Sequence, residues 1–253
     1  MNNRSIQSQS KKAAATAALA LLCLSTVCLS GCGTIRRPAN TYLISGNEFF
    51  KKGDYGKAEQ EYREALLSDP KSPTAKNNLG VILNEQGKYD EAIQVLQEAT
   101  TLDPKNSIAH YVLSEALAKK SRFEEAFKEA KSATEMDASE PRAFCALAEA
   151  ALGKGDIATA VTAYRSACDI DSTNDVTHHK LALVLGLDGK LEEQIKEERE
   201  ALEIEPDNLD ARIGLASALI KSGAKEEAMK EINAILEKHP DNQEAKTLLA
   251  RVK

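Results

Sequence analysis

The sequence predicts an all-α fold, a solenoid of six helix pairs followed by one closing helix. Three observations point there. A set of residues recurs every 34 positions from Ala39 to Asn242 with no insertion, and a fixed period of that size marks a repeat array. Each repeat carries two stretches whose apolar residues follow helical spacing. The composition also suits helices, with 42% hydrophobic residues (largely Ala and Leu), 28% charged, 4% aromatic and no Trp.

The 253 residues carry 33 Lys and Arg against 39 Asp and Glu, a net charge of −6. An acidic chain lacks the basic face that phosphate neutralisation requires, so nucleic acid is not expected as a partner. The scarcity of aromatics removes the base-stacking alternative. The apolar content is ample for a core, which argues against disorder.

Taken in order, the first element is an export signal over 1–31. Residues 1–12 hold Arg4, Lys11 and Lys12 and no acid, and residues 13–30 are uncharged. A basic stretch followed by an apolar one is the form of a secretory signal. The 18-residue apolar run is borderline for spanning a bilayer, so length alone does not decide between cleavage and an uncleaved anchor. The next residues are Leu29-Ser30-Gly31-Cys32. They resemble the lipobox of bacterial lipoproteins at all four places. That resemblance implies a diacylglycerol thioether on Cys32, cleavage before it and N-acylation of the new terminus. Several acyl chains anchor stably where one does not. Residues 32–38 then form a lipidated tether, with Arg36 and Arg37 at headgroup level, where each adds about 1 kcal/mol of attraction to anionic lipid. Gly33 stands where an aspartate usually retains lipoproteins in the inner membrane. In a two-membrane bacterium this implies the periplasmic face of the outer membrane. Cys23 and Cys28 leave with the signal. Cys145 and Cys168 read as small buried apolar residues, with a disulfide left open, and are too few for a metal site.

The six units are 39–72, 73–106, 107–140, 141–174, 175–208 and 209–242, with 243–253 as a capping helix. Pro70, Pro104, Pro206 and Pro240 close four units. Gly53, Gly87, Gly155, Gly189 and Gly223 share a column in which Ser121 replaces Gly. Ala58, Ala92, Ala126, Ala160 and Ala228 share a second, and Ala65, Ala99, Ala133, Ala167 and Ala201 a third. Glycine supplies the backbone freedom that ends the first helix of a unit, and alanine lets paired helices approach. Proline cannot continue the second helix. One unit cannot bury its own apolar face, so neighbours complete the core. Tyr55, Tyr89, Phe123, Ile157 and Leu191, just after the turn, are expected to fill gaps between units. Four departures stand out: Ala138 and Ser172 replace the closing Pro, and Gln194 and Glu198 replace an Ala and a large apolar residue. They read as drift with looser packing, or as a polar contact or flex point between the fifth and sixth units.

These columns resemble the tetratricopeptide repeat over the whole body. The resemblance implies a right-handed superhelix whose first helices line a concave groove for a peptide or protein. Carried over by position, the groove residues are Asn47 and Phe50 in the first unit, and Asn77, Val81 and Asn84 in the second. Tyr111 and Glu115 follow in the third, and Arg142 and Glu149 in the fourth. His179 and Leu183 belong to the fifth unit, and Ile213 and Ser217 to the sixth. Leu43, Ile108 and Val112 stand where a carboxylate clamp would place basic residues, so a chaperone-type clamp for a C-terminal carboxylate is not expected.

The sequence has no phosphate-binding GxxxxGK[ST], no GxGxxG, no HExxH and no GxSxG. His110, His178, His179 and His239 lack metal-ligand spacing. The expectation is therefore a chain with no catalytic residue, no metal and no cofactor, and with no small-molecule substrate. Its partners are a protein or peptide in the groove and a membrane through the lipid on Cys32. The layout is similar to that of lipoproteins that assist assembly of pili and secretion channels, which implies an envelope scaffold or assembly factor. A holdase-like chaperone for exported polypeptides is the alternative.

Overall fold

The computed structural model describes residues 37–252, and the signal and Cys32 lie outside them. Six consecutive helix pairs follow: α1 (Ala39–Lys51) with α2 (Tyr55–Ser68), α3 (Pro73–Glu85) with α4 (Tyr89–Leu102), and α5 (Ser107–Lys119) with α6 (Phe123–Met136). Then come α7 (Pro141–Gly153) with α8 (Ile157–Ile170), α9 (Asp175–Leu187) with α10 (Leu191–Ile204), and α11 (Leu209–Ser222) with α12 (Lys225–Lys238). A single helix, α13 (Gln243–Val252), lies against α12 and α11. No helix among the described residues is long and apolar enough to cross a membrane.

Local chemistry sets where each helix starts and stops. Ser72, Asn106, Asn174, Asn208 and Asn242 cap first-type helices, each side-chain oxygen accepting from the backbone N–H three residues on. Inside the pairs the turn demands a left-handed residue: Gly189 has φ 76° and Gly223 φ 84°. Ser121 is forced into the same region, with φ 59°. The units that lack a closing proline end at the usual place, because the turn rests on an acidic side chain instead. Asp137 Oδ1 accepts from the Ser139 N–H at 2.9 Å, and Asp171 Oδ1 from the Thr173 N–H at 3.1 Å. The same contact recurs at Asp69 and Asp103 beside the prolines, so the proline is the dispensable half of the signal.

Neighbouring first helices touch one another (α3 with α5, α5 with α7, α9 with α11, α11 with α13), while no two second helices pack to that extent. Helices that converge on one side and diverge on the other produce a curved stack with the first helices on its inner face. The apolar core is not continuous along this stack. One cluster runs from Ala58 to Ala150, with a small one around Tyr42, Ala65 and Ala75, and another from Ala148 to Leu185. The last, Ile213 to Val252, shares no residue with the cluster before it.

The gap falls at α10, where Gln194 and Glu198 are buried. The two polar side chains are each seated against a glycine. Gly186 makes room for Gln194, since a Cβ at 186 would stand 2.6 Å from Gln194 Oε1. Gly214 does the same for Glu198, whose Oε1 lies within overlap distance of where a Cβ would be. Two glycines in α9 and α11 thus compensate two polar intrusions from α10.

Candidate functional site: the inner face of the stack

The first helices carry a ladder of side-chain contacts along the inner face, and most rungs join residues 31 or 32 positions apart. That spacing is one repeat less two or three residues, which places both partners at one level on adjacent helices. In the first rung Asn47 Oδ1 accepts from Tyr62 Oη at 2.7 Å and from Asn78 Nδ2 at 3.1 Å. Next, Asn84 Nδ2 donates to Glu115 Oε2 at 3.2 Å, and Arg142 reaches Glu115 from the following unit at 3.3 Å. The Arg142 guanidinium also lies 5.0 Å from the Tyr111 ring centroid, a cation–π arrangement. Cys145 Sγ meets Thr177 Oγ1 at 3.8 Å, and Lys180 Nζ donates to Glu149 at 2.6 Å. At the fifth unit the pattern turns inward. His179 Nδ1 meets Glu198 Oε2 of α10 at 2.8 Å, and Glu198 is 0% exposed.

Burial is the leading influence on the shifted carboxyls and thiols here. It pushes the Glu115 carboxyl above the usual carboxylate range even though Arg142 pulls it down. Burial likewise raises Glu198 against the downward pull of the His179 hydrogen bond. His179 is raised in turn by its bond to Glu198, in opposition to burial. The Cys145 thiol is pushed up by burial, and Cys168 up to about 12, so neither has thiolate character near neutrality. Both cysteines are free.

The structure spreads the sequence-derived groove residues along this face in two roles. Asn47, Asn84, Glu115, Arg142, Glu149 and His179 are rungs of the ladder. Phe50 and Leu183 are exposed apolar stations, with the Phe50 ring 5.8 Å from that of Tyr55. Val81 and Ser217 are half-buried. Three residues are largely covered by their neighbours. Tyr111 is 4% exposed, lying among core neighbours beneath Arg142; Ile213 belongs to the last core cluster, and Asn77 is buried beside Asn78. Asn78 and Lys180, missed by sequence reasoning, complete rungs, each adjacent in sequence to a residue already placed on the groove.

His179, Leu183, Ile213 and Ser217 come together in one cavity of about 350 Å³ between α9 and α11. Leu187, Gln194, Asp210, Lys221 and Glu244 join them on its wall, with Gly186 and Gly214. The signal for this site was visible in the sequence as the two polar departures in α10. What the sequence did not show was that the adjacent glycines open a space for them.

No curated protein matches the sequence significantly. Among solved structures, PilF of Pseudomonas aeruginosa superposes with a TM-score of 0.72 at 18% identity, over 84% of this chain and 96% of that one. A thermophilic tetratricopeptide-repeat protein of Thermus thermophilus gives 0.60 at 22% identity, over 72% and 99%. YrrB, a repeat protein with an unusual peptide-binding site, gives 0.61 at 16% identity, over 74% and 96%. At these identities the likeness shows the fold alone. Tetratricopeptide-repeat family models match residues 45–107, 83–150 together with 197–252, and 141–174. Between them these matches account for most of the body, and the chain belongs to the tetratricopeptide-repeat family.

Proposed function

We propose that the chain is a non-catalytic, lipid-anchored interaction protein that holds another cell-envelope protein on its inner face, as a scaffold or assembly factor. The observation that carries this reading is the ladder itself. Its rungs are paired across units, so the face is a polar strip interrupted by apolar stations at Phe50, Ile108, Val176, Leu183 and Leu187. Such a strip selects one complementary surface, and it offers little to the many unrelated apolar segments that a holdase must accept. The lipobox at Cys32 supports the anchor, and Gly33 the outer-membrane address. The likeness to PilF in fold and extent supports a place beside pilus or secretion machinery.

Two variants test the reading together. Cys32→Ser is expected to move the chain out of the membrane fraction, or to leave unprocessed precursor, while partner capture persists. Leu183→Asp with Leu187→Asp is expected to leave membrane fractionation intact and abolish capture. Mature membrane-bound protein in the first variant refutes the anchor, and undiminished capture in the second refutes the binding face.

A further inference from the structure

We infer that the cavity between the fifth and sixth units is a subsite for a basic side chain, best an arginine, presented by the bound partner. The inference rests on the inner face being the binding surface and names what one station on it recognises. Three observations carry it. Gln194, only 5% exposed, lines the cavity with Oε1 lacking any hydrogen-bond partner. Glu198, behind the cavity wall, has its Oε1 unpartnered as well, packed into the niche at Gly214. The Gln194 oxygen is a buried acceptor without a donor, an unfavourable state that a donor-rich guest relieves once the amide turns from Gly186 toward the cavity.

The charges point the same way. Asp210 is on the wall and acts electrostatically on both His179 and Glu198. Glu244 adds another carboxylate at the rim, and Lys221 is the cavity's own cation. The His179–Glu198 pair balances itself, which leaves Asp210 and Glu244 against Lys221 and favours a positive guest. A guanidinium presents five donors in a fixed fork and is less strongly hydrated than an ammonium, so it suits a site with several scattered acceptors. Leu183 and Leu187, 46% and 66% exposed, supply an apolar flank for the aliphatic stem of such a side chain. A cavity of about 350 Å³ takes one side chain and its backbone.

The test uses the full chain in detergent, titrated with acetyl-Leu-Arg-Leu-amide and with its neutral citrulline counterpart, while the His179 ring is followed by NMR. The arginine peptide is expected to perturb His179 and to bind about tenfold or more tightly than citrulline, the scale of one charge-assisted hydrogen bond. Asp210→Asn, at an exposed position, and Glu198→Gln, which keeps an acceptor for His179, are each expected to erase that preference. Equal binding of the two peptides, no perturbation of His179 by either, or a preference that survives both substitutions overturns the inference. If partner capture still depends on Leu183 and Leu187 in that event, the inner-face reading stands and only the arginine subsite falls.

Discussion

Gly214→Ala is expected to change sign with the residue opposite it. Gly214 lies inside α11, where alanine is intrinsically the better helix former by about 0.8–1 kcal/mol. On an unobstructed face the substitution would stabilise the chain by that amount. Here the new Cβ meets Glu198 Oε1, which is buried and hydrogen-bonded through its other oxygen to His179. The carboxylate must leave its niche. Overpacking costs about 1–3 kcal/mol, and a lost hydrogen bond to a charged group about 1.5–3 kcal/mol. The obstruction outweighs the propensity gain, and a net loss of about 2 kcal/mol is expected. In a Glu198→Ala background the obstruction is absent, and Gly214→Ala should then stabilise by about 0.5–1 kcal/mol. Urea unfolding followed by helical circular dichroism, on the four members of the cycle, measures both effects and their coupling. Equal effects in the two backgrounds would refute the account of α10 and its compensating glycines.

Other consequences are simpler to state. Ser121→Gly should raise stability by about 1 kcal/mol in thermal or urea unfolding, because the serine holds a left-handed conformation that glycine adopts without strain. The pH response of the His179–Glu198 pair follows from both groups being raised in the folded chain. A raised pKa adds stability below the unfolded value that is lost as pH rises through the folded one, so the stability difference between wild type and Glu198→Gln should fall as pH rises above the ordinary Glu value of about 4.3, and fall further above the ordinary His value of about 6.5. Urea titrations at several pH values check this, and a rising difference would contradict it. The discontinuous core predicts that amides of α11–α13 exchange faster than those of α5–α8, since fewer apolar contacts tie the last cluster to the rest.

The repeat period, the helix pairing and the turn positions were legible because each depends on residues within one unit. Gly at the turn, an apolar residue just after it and Ala at the close approach are local signals, and they recur often enough to check one another. The inner face was less legible because its contacts are between units. Asn84 could be placed on the groove, yet nothing local says that its partner is Glu115 or that Arg142 then covers Tyr111. The two departures in α10 were visible as polar residues in apolar columns. Their meaning lay in Gly186 and Gly214, neither of which is unusual alone. The missing prolines misled in the opposite direction, since Asp137 and Asp171 close those units through side-chain hydrogen bonds that a proline count overlooks.

Site-specific photo-crosslinking in intact cells tests the central claim, that the inner face holds one envelope partner. A probe at Leu187 on the inner face is compared with one at Gln97, exposed on α4 among the second helices. The account predicts a single discrete crosslinked species from position 187 and none from 97. Capture from position 97 with silence at 187, or a smear of many exported proteins from 187, would contradict it.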